Sequence, residues 1–263
     1  MIHIAIDTTP LLSGHAGRGV GIYTKELIQA LVLMPEIRIT YFSKNTPIQG
    51  VPDVVHYPYF DPFFFSLPPL FKYPSIVTVH DLTPVVMPAL FPTGIRGKVA
   101  WQYQKNRLSK SRRIITDSVC SKNDVAKIVQ YDAEKIDPVY LAPAPFFGAS
   151  SGKPYSSPLP NQYMMYVGDV NANKNIPELI EAYGKTFTGA SAYAVTGMKL
   201  LLVGKSFLND RLPETTAINA VISGLSDPGS VIKTGYVPDE ELVTLYKNAL
   251  CLVQPSLYEG FGL

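Results

Sequence analysis

The sequence predicts an α/β protein with parallel sheets, arranged in two halves. Three observations carry that expectation. Short apolar runs alternate with amphipathic stretches along the chain, the alternation breaks once at a proline-rich stretch, and then it starts again. Alternation of this kind is the signature of βαβ units.

In the first half, Ile2–Ile6, Ile37–Phe42, Val54–Tyr57, Ile76–Val79, Ile114–Thr116 and Val139–Leu141 read as buried strands. Amphipathic helices are expected over about Val20–Met34, Ile95–Ser109 and Ser121–Tyr131, the last opened by a capping box of Ser121 and Asp124. Pro143, Pro145, Pro154, Pro158 and Pro160 then crowd one stretch. Neither a helix nor a central strand tolerates that density. Residues 146–161 are therefore expected as an interdomain linker between a domain over 1–145 and one over 162–263. In the second half, strands are expected at Met164–Gly168, Lys199–Val203, Val231–Thr234 and Leu250–Val253. Helices are expected at Ile176–Lys185, about Thr215–Ser223 and Asp239–Asn248, the last with three acids in its first turn, where the helix dipole favours them. The expectation is two Rossmann-like halves joined by a hinge. The chain stops on a strand-to-helix turn, before the edge strands and closing helices of a doubly wound domain, so the second half is expected to be incomplete.

A composition 46% apolar and 17% charged argues against wholesale disorder. No window approaches a membrane-spanning apolar run, and Asp7 interrupts the N-terminal apolar stretch where a signal peptide would continue. Cys120 and Cys251 match neither a disulfide framework nor a zinc cluster and are expected as core thiols in a reducing cytosol. The net charge of +2 does not point to nucleic acid, but its distribution is uneven. Residues 1–150 hold 15 Lys/Arg against 11 Asp/Glu, and residues 151–263 hold 8 against 10. Arg96 to Arg113 contributes seven basic residues and no acid. That run reads either as a solvated helix face or as a surface for phosphate, on an anionic membrane or a diphosphate-linked acceptor. The aromatic run Tyr57 to Phe71 reads either as packing inside the first domain or as a loop facing membrane or acceptor.

Four stretches carry candidate chemistry. The loop Gly14 to Gly21 leads into a helix whose N-terminus offers free N–H groups to an anion. Ile22 stands where a dinucleotide fingerprint needs its third glycine, so a tight turn is the competing reading. His80-Asp81 ends a strand, where ligands collect in open α/β sheets, although isolated histidines are often structural. No other histidine has metal-ligand spacing to it. Gly168-Asp-Val-Asn-Ala-Asn173-Lys174-Asn175 joins a strand to a helix and sets a lysine where a phosphate would lie, or is an Asn-rich turn with a solvated lysine. Last, Glu259-Gly260-Phe261-Gly262 puts a carboxylate beside backbone N–H groups, a combination suited to sugar hydroxyls and a diphosphate.

In this order, the stretches resemble glycosyltransferase family 4 (glycosyl transferase group 1) on a GT-B fold. The most specific matches are G-D-V-N-A-N-K-N from Gly168 and S-L-Y-E-G-F-G-L from Ser256, supported by Val79-His80-Asp81-Leu82, Ile115-Thr-Asp117-Ser118 and Gly235 to Leu242. The resemblance implies a retaining transferase with no bound cofactor or metal. Its N-terminal domain would hold a saccharide or lipid-linked acceptor, and its C-terminal domain a nucleotide-sugar donor. His80, Lys174 and Glu259 would be the catalytic residues. Lys174 would meet the departing diphosphate, His80 the donor sugar or reacting centre, and Glu259 the donor's hydroxyls. Gly17, Gly19, Gly168, Asn173, Gly260, Phe261 and Gly262 would line the donor. Cell-surface polysaccharide assembly would be the setting; the residues themselves add the reading of a cytoplasmic protein, with peripheral contact at the inner membrane face through Arg96–Arg113 and Tyr57–Phe71 as one of the two alternatives for those runs.

Two departures from the family pattern stand out. Asp169 and Asn173 occupy positions where many relatives carry an arginine, leaving Lys174 without its usual cationic partner unless Arg18 or another residue supplies the charge. The second glutamate of the E-x7-E motif would fall beyond Leu263. The competing readings are a nicotinamide-dependent dehydrogenase and a non-catalytic, truncated nucleotide-sugar-binding chain.

Overall fold

The computed structural model describes residues 1–143, 145–148, 152–188 and 197–262. They form two compact units: Met1–Ala142 together with the segment that begins at Gly260, and Pro143–Glu259.

The first unit contains β1 (Ile2–Asp7), α1 (Gly19–Val32), β2 (Ile37–Phe42), β3 (Val54–Tyr57), β4 (Ser75–Val79), a short α2 (Thr83–Val86), α3 (Ile95–Leu108), β5 (Arg113–Thr116), α4 (Val119–Val125) and β6 (Ile136–Pro138). Its six strands are all parallel, in the order β2-β1-β3-β4-β5-β6. A parallel sheet is covered on both faces, which is why its strands read as nearly continuous apolar runs. Ala5, Val55, Val77, Val79 and Ile114 pack with Leu82, Leu108 and Val125 in one core.

Two local expectations need correction here. The last strand is Ile136–Pro138, not Val139–Leu141, because buried Ile136 pairs with Ile114 while Val139 and Tyr140 are exposed. The apolar run was the misleading signal: Val139 still donates its N–H to Thr116, but its side chain lies outside the core. Helix α4 starts at Val119, and its cap is Ser118 rather than Ser121. Ser118 has extended backbone, and its Oγ accepts the N–H of Ser121 at 3.0 Å. Ser121 is thus buried in the first turn, with its own hydroxyl donating to the His80 carbonyl at 2.8 Å.

The second unit contains β7 (Gln162–Val167), α5 (Ile176–Tyr183), β8 (Met198–Val203), α6 (Pro213–Ser223), β9 (Val231–Gly235), α7 (Asp239–Asn248) and the two-residue β10 (Cys251–Leu252). Strand order is β10-β7-β8-β9, again all parallel. Successive residues of β7 and β8 point to opposite faces. Tyr166, Leu200 and Leu202 therefore enter a core with α5 and α6, while Tyr163, Met165, Leu201 and Val203 enter another with Leu245 of α7. The hydroxyls of buried Tyr163, Tyr166 and Tyr183 each reach a carbonyl, those of Leu245, Asp169 and Met198, at 2.7–2.8 Å. Each phenol therefore buries its ring without stranding a polar atom. In the proline-rich stretch, Pro145–Gly148 forms a 3-10 turn. Tyr155 and Leu159 pack on the α7 side of the second sheet, and Lys153 pairs with Glu240.

The cysteines are not core thiols. Cys120 is exposed at the second position of α4, and Cys251 is exposed on β10, which pairs with β7 at the edge of its sheet. A short apolar context in sequence gave no measure of how an edge strand would be covered. Among the described residues, no helix is long and apolar enough to cross a membrane.

Each sheet also has a point where strand order reverses, between β1 and β3 in the first unit and between β7 and β10 in the second. Ligands of doubly wound sheets sit at the carboxyl ends of the strands beside such a point.

Candidate functional site

In the first unit, the reversal point faces the loop after β1. Tight turns at Ser13–Ala16 and His15–Arg18 set up α1, whose N-cap Arg18 makes no side-chain capping bond. A Cβ on Gly21 would come within 2.5 Å of the His15 and Ala16 carbonyls, so the fold itself requires glycine there. Gly17 and Gly19 differ: both are exposed, and a Cβ on either would meet nothing within 4 Å. The fold gives no internal reason for glycine at those two positions. What they create is bare backbone in front of a helix N-terminus. Asp7 closes β1 nearby and accepts from the Thr9 N–H and hydroxyl. Burial raises its pKa against those hydrogen bonds.

His80 follows β4 and is held on both ring nitrogens. Nδ1 lies 2.7 Å from Asp117 Oδ2, and Nε2 lies 3.1 Å from the Pro58 carbonyl. The Tyr23 ring stands edge-on at 4.8 Å. Beneath it, the Thr78 hydroxyl links the Tyr23 hydroxyl at 3.1 Å and His56 Nε2 at 2.9 Å. Burial, and then the charge of His80, lower the His56 pKa to about 4, so His56 is a neutral ring in this network. Burial also raises the Tyr23 hydroxyl. Asp117 is buried, and its Oδ1 has no partner among the described residues, leaving one carboxylate oxygen beside His80 uncommitted. Sequence reasoning picked His80 but gave no role to Asp117, Tyr23 or His56. The signal in the sequence was that Asp117, like His80, directly follows a strand; the structure pairs Val79 with Thr116 and so makes the two neighbours.

The segment beginning at Gly260 clusters with this unit. The Gly260 carbonyl accepts from the hydroxyls of Ser118 and Ser121. A Cβ on Gly260 would come within 2.6 Å of the His80 carbonyl. Phe261 lies against Tyr140, ring centres 6.0 Å apart, and Gly262 takes a left-handed φ of 82°.

In the second unit, the loops after β7 and β10 meet at the reversal point. Ala172–Lys174 forms a 3-10 turn, and Asn175, at φ 56°, redirects the chain into α5. Lys174 Nζ donates to Glu259 Oε1 at 2.5 Å, and that oxygen also accepts the Ser256 hydroxyl at 2.6 Å. Both side chains are mostly buried, 19% and 24% exposed. Asn173 has a different part from the expected one. It is 4% exposed, and its side-chain amide donates to the Tyr258 carbonyl at 3.0 Å while its backbone carbonyl accepts the Leu257 N–H at 2.8 Å. The side chain ties the two loops together instead of facing a ligand, so it positions the pair beside it. The charge opposite Lys174 is thus the carboxylate of Glu259, where the sequence left a missing cation as the open question. Gly168 and Gly204 complete the floor. Gly204 sits at φ 154°, and a Cβ there would fall 2.2 Å from the Gly168 carbonyl. The strand ends are therefore packed backbone to backbone, and only glycine fits. Gly204 was not singled out from sequence, because a lone glycine after a strand carries no distinctive pattern. Among the described residues, no cluster of His, Cys, Asp and Glu could hold a metal ion.

The two parallel α/β units have the fold class of GT-B proteins. Among solved structures, sucrose-phosphate synthase from Thermosynechococcus elongatus aligns over 100% of this chain and 77% of its own, at 18% identity and a TM-score of 0.71. Anabaena HepE in complex with UDP and glucose aligns over 99% of this chain and 75% of its own, at 14% identity and a TM-score of 0.62. At those identities the likeness concerns the fold alone. Residues 153–263 match the family model "Glycosyl transferases group 1". The chain is also 27% identical over 195 residues to O-antigen chain mannosyltransferase B of Escherichia coli, across 72% of this chain and 49% of the relative. The chain spans about half the length of the curated relatives it matches.

Proposed function

We propose that this chain is part of a retaining glycosyltransferase of family 4, which moves a hexose, mannose or similar, from a nucleotide-sugar donor to a saccharide or lipid-linked saccharide. Assembly of a cell-surface polysaccharide on the cytoplasmic side is the setting. The observation that carries the reading is the Lys174–Glu259 pair at the strand-order reversal of the second unit, inside the segment matched by the family model. Such a point takes nucleotides, and the paired groups have the chemistry of the donor's two halves.

In the free protein, Lys174 and Glu259 neutralise each other. Donor entry would exchange that bond for two: the ammonium to the diphosphate, and the carboxylate to sugar hydroxyls. The diphosphate gains negative charge as the glycosidic bond breaks, so an ammonium fixed there stabilises the transition state more than the ground state. Within the first unit, Asp117 and the Pro58 carbonyl fix the His80 ring, as contact with a sugar would require. This reading includes no metal, and a chelator is expected to leave turnover unchanged.

The test is thermal stabilisation by a panel of nucleotide sugars. A fitting donor at a hundred times its dissociation constant should add about 2.7 kcal/mol. No shift with any donor, alongside a shift with a nicotinamide dinucleotide, would sink the proposal. Stabilisation without sugar transfer to any acceptor would identify a non-catalytic nucleotide-sugar-binding chain instead.

A further inference from the structure

The first unit exposes an apolar wedge that its own folding does not explain. In the loop after β3, Phe60 and Leu67 are buried at 4% exposure, yet Phe64 and Phe65 between them are 73% and 58% exposed. On α3, Ile95 and Val99 are one turn apart on the outer face and 82% and 60% exposed. The opposite face, Ala100, Gln104 and Leu108, is buried.

Loop and helix are bolted into one body. Gln104 is fully buried, and its amide reaches the carbonyls of Asp61 and Phe64 and the Ser66 hydroxyl at 2.6–3.0 Å. Phe65 meets Tyr103 of α3 edge-on, with ring centres 5.1 Å apart. A buried glutamine bonded this way holds the loop backbone, and with it the outward setting of the two phenylalanines. Arg96 and Lys98 are exposed beside Ile95 and Val99. No Asp or Glu occurs between Asp81 and Asp117. The one acid in the loop, Asp61, is occupied by the N–H groups of Phe63 and Phe64 and by the Tyr59 hydroxyl.

We propose that Phe64, Phe65, Ile95 and Val99, flanked by Arg96 and Lys98, seat the protein on an anionic lipid bilayer. The phenylalanines would enter the headgroup boundary and the cations would face lipid phosphates. Charge decides this occupant over a second copy, because two such faces would bring like cations together. The inference is independent of which sugar is transferred.

Flotation of the protein with phosphatidylcholine vesicles, with and without phosphatidylglycerol, tests it without any activity readout. Binding is expected to the anionic vesicles only, and to weaken with salt. Arg96→Glu with Lys98→Glu should lower partitioning about 30-fold or more. Phe64→Ser with Phe65→Ser should lower it at least about tenfold, with circular dichroism unchanged because both rings are exposed. No binding to anionic vesicles, equal binding to neutral ones, or unaltered binding by both double variants would each overturn the proposal. So would a protein dimer that the same variants abolish.

Discussion

Lys174 and Glu259 lie 85 residues apart in the chain and 2.5 Å apart in space. Each was identifiable alone, the lysine before a helix start and the glutamate before a glycine pair. Their pairing was not, because it depends on β10 lying beside β7. Lys174→Ala is expected to lower kcat by about 100- to 1,000-fold, with a smaller effect on stability, measured in parallel by initial rates and denaturant midpoints. Asn173→Ala should do the reverse in part. It removes the bond to the Tyr258 carbonyl, and a lost hydrogen bond costs about 0.5–1.5 kcal/mol, so a lower midpoint should accompany weaker donor binding. A midpoint equal to the wild type would refute the positioning role. His56 makes an acid-side prediction. Its pKa is about 4 when folded against 6.5 for the free side chain, so the unfolded chain binds the extra proton first. Stability from this residue is complete above about pH 6.5 and falls as the pH drops toward 4, by on the order of 3 kcal/mol. Denaturation curves across that window should be flatter for His56→Gln.

At the scale of elements, most strands and helices followed from apolar periodicity. The misses occurred where periodicity says nothing. β6 is set by pairing with β5, and an apolar Val139–Leu141 run could not reveal that Ile136 is the residue that matches Ile114. The α4 cap was missed because Ser121 and Asp124 have capping-box spacing, and only backbone conformation shows that Ser118 is the cap. Ser118→Ala should cost about 1 kcal/mol of stability through the lost cap, read as a lower urea midpoint. Gly204→Ala should be far worse: its Cβ would fall 2.2 Å from a carbonyl oxygen that no side-chain rotation can move. Failure to accumulate as folded protein is the expected outcome, and a normal midpoint would refute the close packing of those strand ends.

At the scale of the molecule, the double α/β arrangement was legible because parallel sheets demand the alternation that the sequence displays. The strand orders were not, since nothing local encodes which neighbour β10 chooses. The glycine spacing after β1 already weighed against a dehydrogenase. The second unit adds an independent argument, with a lysine and a glutamate at its reversal point. Nicotinamide dinucleotides are therefore expected to leave the melting temperature unchanged under conditions where a nucleotide sugar raises it. The uneven charge was equally legible, but its use depends on Gln104 fastening an aromatic loop to the basic helix.

The exposed cysteines have a practical consequence. One thiol lies in each unit, Cys120 on α4 and Cys251 on β10, and the sequence has no third. These residues thus carry their own pair of attachment points for maleimide dyes. Energy transfer between dyes on the two, with and without a nucleotide sugar, would read any change in their separation without a single substitution.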